Sequence, residues 1–425
     1  MHHFAYRDGV LFCEEVSLAA IADAVGTPAY VYSTATLRRH FQVFRDAMAP
    51  LDPLIAFAVK ANANIAVLHV LAQDGAGADT VSAGEIKRAL AAGVPPEKII
   101  FAGVGKTRAE LGFAVDVGVG QINVESPGEL VELIACAQTR GRKAPVALRV
   151  NPAIGAGGHD KIATGGGDTK FGISLADAPA LYQAACQNPW LAPRGLAVHI
   201  GSQIKDLAPL RTAFQRVRAL AETLRADGWP VHHLDLGGGL GAPYFDEPDP
   251  PSPSAYAALV KDVFAGFDAA FAFEPGRLIA ANAGVLLTRV IRRQPRPERD
   301  ILVLDAAMND LVRPAMYEAY HDLKPLQEKD AAVETIDLVG PVCETGDTFA
   351  KGRTMPRLEP GEAAAFMTAG AYGAVMASTY NARPLVPEVL VSGDRFAIVR
   401  DRLSIEEQMG RERLPPWANA EPTPP

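Results

Sequence analysis

The sequence predicts an α/β protein: a parallel (β/α)8 barrel joined to a second, β-rich domain made from the N-terminal segment and the C-terminal part. Three observations predict it. Short apolar runs alternate with longer helix-like segments eight times between residues 54 and 276. The runs are continuous rather than alternating, as in strands covered on both faces. Both flanks carry strand-like pieces without that alternation, and 425 residues suit two cores better than one.

The runs are LIAFAV (54–59), GADTV (77–81), KIIFAG (98–103), GQINVE (120–125), PVALRVN (145–151), GLAVHIG (195–201), HHLDLGG (232–238) and AFAFEPG (270–276). Segments such as SAGEIKRALAAG and SPGELVELIACAQTRG separate them. The second opens with Ser126 and Glu129 at capping-box spacing, followed by apolar residues at helical spacing. The barrel is expected over 36–279, and the β-rich domain over 1–35 and 280–415. In the latter, GVLFC, PAYVYS, GVLLTRVIRR, DILVLDAA, ETIDLVGPVCE, AAAFMTAGAYG and FAIVRDR read as strand-bearing. The Pro-rich end, 416–425, is expected to be disordered, and PYFDEPDPPSPS (243–254) to be a mobile loop.

The net charge of −8, without a basic tract, argues against nucleic acid and anionic membranes as partners. No apolar run is long enough for a transmembrane helix, and the start lacks the pattern of a signal peptide. The four cysteines, Cys13, Cys136, Cys186 and Cys343, form no CxxC pair. That speaks against a disulfide framework or a metal site and for a cytoplasmic protein.

Barrel enzymes place their chemistry at the C-terminal ends of the strands. Here those ends carry Lys60, Ser82, Glu125, Arg149, His199 with Ser202, the run Gly237-Gly238-Gly239, and Glu274-Pro275-Gly276-Arg277. The glycine run is either slack in a loop or a cradle whose amides hold a phosphate. Glu274 follows the apolar FAF and needs a partner, either Arg277 or the protonated nitrogen of a cofactor ring. A phosphate cradle, a strand-end lysine and a buried acid together describe a site for pyridoxal 5′-phosphate, with Lys60 as its covalent anchor. Arg313 and Tyr317, four apart, share a face if that stretch is helical; a surface ion pair is the other reading of Arg313. Asp79, Glu125 and Arg149 are open between supporting the site and a purely structural role.

FAVKAN, HIGSQ, DLGGGLG, EPGR, GPVCETGD and GAYG, in this order, resemble the alanine-racemase-fold decarboxylases that use pyridoxal phosphate. HDKIATGGGDTKFGIS, RPAMY and CETGD point within them to the diaminopimelate decarboxylase family, over nearly the whole chain. Thr345, the Asp168-Thr169-Lys170 stretch and Leu278 depart from the usual family pattern without removing a catalytic group. The resemblance implies conversion of meso-2,6-diaminopimelate to L-lysine and CO2, the last step of lysine biosynthesis. It implies that Lys60 is the Schiff-base lysine and that His199 stacks on the cofactor ring. Ser202, Gly239 and the Gly276–Arg277 backbone would hold the phosphate, and Glu274 the ring nitrogen. Arg277, Arg313, Tyr317, Glu344 and Tyr372 would contact substrate, with Tyr372 also near the cofactor. Cys343 would be the proton donor, supplied from the partner chain of a homodimer. Decarboxylases of ornithine, arginine or carboxynorspermidine, and related racemases, share this core and are the competing readings.

Overall fold

The computed structural model describes residues 2–155, 165, 170–244 and 249–419. Eight parallel strands close into a barrel: β1 (Leu54–Ala58), β2 (Gly77–Thr80), β3 (Ile99–Phe101), β4 (Gln121–Val124), β5 (Ala144–Asn151), β6 (Leu191–Ala197), β7 (His233–Asp235) and β8 (Ala270–Phe273). β8 returns to β1 through Ala272 opposite Leu54 and Phe273 opposite Ile55, which leaves no open edge.

Side chains alternate across each strand. On β1, Ile55 and Phe57 join the large core beneath the helices, whereas Ala56 joins Ile100 and Ala272 in a small cluster of their own. Outside the barrel, Phe273 meets Phe44 and Tyr256 edge-on, with ring centroids 5.9 and 5.8 Å apart. These rings lock the helices Thr34–Met48 and Pro253–Val263 onto β8, and truncating such a ring to alanine costs about 3–5 kcal/mol.

Ser126 caps its helix, Pro127–Arg140, by accepting from the Glu129 amide at 3.2 Å. The box is only half made. The Glu129 carboxylate accepts instead from the Glu125 amide and pairs with the buried Lys106, whose neighbourhood outbids the Ser126 amide.

The flanks do come together. Ala29–Ser33 lies between Gly284–Gln294, antiparallel, and Glu388–Ser392, parallel, inside a nine-stranded sheet. Residues Phe4–Arg7, Val10–Cys13 and Val16–Ser17 form a separate three-stranded sheet, and Leu11, Val31 and Val285 share one apolar cluster between the two. Thr348–Pro356, which the sequence reading missed, is the longest partner of Val333–Val339. Its polar outer residues hide the strand pattern. Pro416–Asn419 forms a single helical turn, and the rest of the expected disordered tail lies outside the described residues, as do 245–248 of the expected loop. Within that loop Tyr244 is buried and Pro253 onward is helical. Among the described residues, no helix is long and apolar enough to cross a membrane.

Candidate active site at the barrel mouth

A cavity of about 260 Å³ opens at the C-terminal end of the barrel. Lys60, His199, Ser202, Glu274, Arg277, Arg313, Tyr317 and Tyr372 all face it. The strand-end prediction therefore converges on one place for these residues, whereas Ser82 does not face the cavity and instead caps the helix Ala83–Ala91 by accepting the Glu85 amide at 3.2 Å. Cys343 and Glu344 do not line it; both are exposed on this chain. Gly237, Gly238, Gly239, Pro275 and Gly276 are not among the residues facing it.

Lys60 stands in the turn Val59–Ala61 immediately after β1. The β-rich domain grips that turn: Tyr372 donates its amide to Ala61 O at 2.8 Å, and Asn62 Nδ2 donates to Gly370 O at 3.0 Å. The same contact delivers Tyr372, whose φ of 55° is in the left-handed region and is unfavourable for a bulky residue. The Lys60 side chain is 35% exposed, opening into the cavity, and its amine bonds Asp79 Oδ2 at 2.6 Å. Burial pulls the amine's pKa down, but the Asp79 carboxylate paired with it outweighs burial and holds it above the ordinary lysine value. Asp79, left open by the sequence, is thus the ion-pair partner of Lys60.

His199 is half-buried in the cavity wall. Burial first, then the Lys60 and Arg149 charges, keep it far below its ordinary pKa, so the imidazole is neutral. Its Nδ1 accepts the Gly238 amide at 3.2 Å, which places the ring proton on Nε2. The glycine run is not slack. A Cβ on Gly238 would lie 2.2 Å from Glu274 O, and Gly239, at φ 113°, would bring one within 2.7 Å of Gly201 O. Only bare backbone lets the ends of β6, β7 and β8 approach this closely.

Glu274 makes no ion pair with Arg277 among the described residues, which removes that reading. Its Oε1 is buried without a hydrogen-bond partner. Burial, then the Asp235 and Asp79 charges, push the carboxyl well above the usual range. Burial raises the Asp235 carboxyl too, but Gln121 Nε2, Asn123 Nδ2 and the Gly237 amide each donate to it at 3.0 Å and favour its anion, which makes it the ionised member of the pair. Glu274 therefore carries the proton in the free chain. Sequence reasoning missed this polar layer, because Gln121, Asn123 and Asp235 look like interruptions of apolar strands until the barrel stacks them. Arg149 faces the cavity, paired with Glu125 at 2.9 Å and stacked on Phe171 at 4.9 Å. That gives Glu125 a supporting position behind the cavity wall.

Arg313 and Tyr317 share the turn Arg313–Tyr317, and Arg313 is buried rather than on the surface. Arg277 donates to Ser202 Oγ through Nε and Nη2 at 3.3 and 3.2 Å and stacks on Tyr372 at 4.6 Å. Arg313 donates to His321 Nε2 at 2.8 Å. Neither guanidinium has a carboxylate partner among the described residues. In the Cys343 loop, Asp347 accepts the Met308 and Val342 amides at 2.6 and 2.7 Å, and Asn381 Oδ1 accepts the Cys343 amide at 3.1 Å. This shapes a turn that presents Cys343 to solvent. Cys13 and Cys136 are buried, and Cys186 is partly so.

Residues 34–281 match the family described as pyridoxal-dependent decarboxylase, pyridoxal binding domain. The diaminopimelate decarboxylase of Zymomonas mobilis is 48% identical over 418 residues, 97% of this chain and 99% of that one. The chain belongs to the diaminopimelate decarboxylase family. Another member, from Pseudomonas aeruginosa, is 47% identical over 98% of this chain and 100% of its own length. The crystal structure of the M. jannaschii family member in complex with L-lysine superposes with a TM-score of 0.93 at 32% identity, covering 98% of this chain and 99% of that one. The family is one of pyridoxal-dependent enzymes, and the cavity fits such a group: an amine opening into it, a neutral imidazole beside it, and a buried carboxyl oxygen without a partner.

Proposed function

We propose that this chain decarboxylates meso-2,6-diaminopimelate to L-lysine and CO2, closing lysine biosynthesis. The observation that carries the reading is the pair of buried guanidiniums, Arg277 and Arg313, without a carboxylate partner among the described residues and facing the same cavity as Lys60 and Glu274. A buried, unpaired cation is costly, and an anionic ligand offsets that cost. A substrate with a second carboxylate supplies it; ornithine and lysine, with one carboxylate, leave a guanidinium unmatched.

Pyridoxal 5′-phosphate, anchored on Lys60, supplies an electron-withdrawing ring that takes up the electron pair left when the bond to the departing carboxylate breaks. Asp79 pairs with the Lys60 amine and holds it at the cavity. Glu274, protonated in the free chain, would keep a proton at the ring nitrogen. His199, a neutral group, would pack against the ring and add no competing charge. Ser202, Gly239 and the Gly276–Arg277 backbone would hold the phosphate. Arg277, Arg313, Tyr317 and Tyr372 orient the substrate, with Glu344 meeting its distal ammonium. The carbon that loses CO2 takes a proton from the Cys343 thiol.

In this reading the working form is a homodimer, with Cys343 and Glu344 supplied to each mouth by the partner chain. The exposed Cys343 turn supports this, as does the edge strand Arg395–Arg400 with Phe396 and Ile398 uncovered. The absence of a long apolar helix among the described residues is compatible with a cytoplasmic enzyme.

The test is product analysis with meso-diaminopimelate, L-lysine and L-ornithine offered separately. Lysine and CO2 from the first alone are expected. Arg313→Leu should retain cofactor while kcat/KM falls about 10²-fold, at ~1.4 kcal/mol per factor of ten. Comparable turnover of ornithine, or a near-normal Arg313→Leu enzyme, overturns the reading.

A further inference from the structure

We infer that Tyr244 is a positioning residue that fixes Arg277 and Arg313 as one carboxylate-recognising pair and so sets the preference for substrates with a distal carboxylate. The inference rests on the function proposed above and deepens it. Tyr244 is not among the residues facing the cavity; it stands behind the two arginines, 6% exposed. Its hydroxyl bonds Arg277 Nη1 at 3.1 Å. Its ring lies under the Arg313 guanidinium, 5.1 Å from centroid to carbon. One rigid side chain therefore holds both cations: its hydroxyl accepts from Arg277 and is within hydrogen-bonding reach of Arg313, and its π-face lies under Arg313.

His321 completes the arrangement. Its ring meets Tyr244 edge-on at 5.8 Å and 88°. Nδ1 bonds Met367 O at 3.0 Å, so it carries the proton, and Nε2 is left to accept from Arg313. Burial and then the Arg313 charge hold His321 down at about 3, keeping it a neutral acceptor.

Every partner named for the two guanidiniums is thus uncharged: Ser202, Tyr244, Tyr372 and His321. They fix position and spacing without neutralising charge. Two guanidiniums at fixed spacing with their charge unspent form a receptor for a planar anion, since both can donate in-plane hydrogen bonds to a carboxylate. A loose pair would lose that advantage, because the side-chain entropy of each arginine would have to be removed at binding.

The product L-lysine retains the distal carboxylate of the substrate, and cadaverine is the same diamine without it. The ratio of their inhibition constants on the holoenzyme isolates carboxylate recognition. Wild type should bind L-lysine far more tightly than cadaverine. Tyr244→Phe, which removes the bond to Arg277 but keeps the ring under Arg313, should raise the inhibition constant of L-lysine about 10-fold. Tyr244→Leu, which removes both, should raise it roughly 100-fold, with cadaverine shifted no more than a few-fold in either variant. A purely structural role would weaken both ligands together or lower thermal stability without moving the ratio, and that result overturns the inference. If Tyr244→Leu fails to fold, an unchanged ratio in Tyr244→Phe does the same. The two proposals fail differently. A wild type that does not favour L-lysine over cadaverine defeats the distal-carboxylate reading itself, and Tyr244 with it. A wild type that discriminates, beside variants that discriminate equally, defeats Tyr244 alone.

Discussion

The barrel mouth and the Cys343 turn are opposites in construction. At the mouth, Lys60, Glu274, Arg277 and Arg313 come from three separate parts of the chain and converge on one cavity, and the three cations are braced by hydrogen bonds they donate to Asp79, Ser202, Tyr244 and His321. The Cys343 turn is a single local stretch, shaped by Asp347 and Asn381, and its thiol is exposed. The mouth has the binding groups and lacks a thiol; the turn has the thiol and lacks a cavity. Preorganised charge has to be built into a rigid scaffold, whereas a group that acts once per cycle on a delivered carbon can arrive on a protruding turn.

The largest effect expected from breaking the mouth is at Lys60. Lys60→Ala should abolish turnover, and borohydride reduction of the wild-type holoenzyme followed by peptide mapping should place the label on the peptide containing Lys60. Label on a different lysine would remove Lys60 from its assigned place.

Next in size is the dependence of one region on the other. Lys60→Ala and Cys343→Ala homodimers should each be nearly inactive. Mixed and allowed to exchange subunits, they should recover about one quarter of wild-type activity, because half the dimers are mixed and each has one intact site. No recovery after exchange has been verified by mass would mean that each site is built within one chain.

The two regions also differ in how far the sequence exposes them. The eight barrel strands were legible because continuous apolar runs end in polar groups at regular spacing, and that spacing fixed Lys60, His199 and Glu274 at the mouth. Arg313 and Tyr317 were placed together by their i, i+4 separation. Tyr244 was not legible. It follows a glycine run and opens a Pro-rich stretch, so local composition reads as loop, while its burial depends on residues 33 to 77 positions away. The ionised state of Asp235 was hidden for the same reason, since two of its donors lie 112 and 114 residues upstream. Thr348–Pro356 escaped because a strand with one wet face and bulged pairing loses the clean alternation.

The smallest expected effect sharpens what preorganisation costs the mouth. Glu274 holds its proton in the folded, cofactor-free chain because burial and the Asp235 and Asp79 charges disfavour its anion. In the unfolded chain the same carboxyl titrates near about 4.3. Below that pH both states keep the proton and Glu274 adds nothing to the pH dependence. As pH rises past it, the unfolded chain releases the proton and the folded chain retains it, so stability falls with pH until the folded carboxyl itself ionises. Glu85 and Asp310, each raised to about 7, slope the same way, and the buried neutral His199 and His321 act at the acid end. A comparison with Glu274→Gln cancels all of these. The melting temperature of the cofactor-free variant should exceed that of wild type by roughly 2–4 °C at neutral pH, with the gap closing toward pH 4. Added pyridoxal phosphate should invert the order, because only the acid gains a charged partner when the ring nitrogen arrives. A gap independent of pH would mean that Glu274 is ionised in the free chain. A gap that survives cofactor addition would mean that the ring nitrogen does not meet this carboxyl.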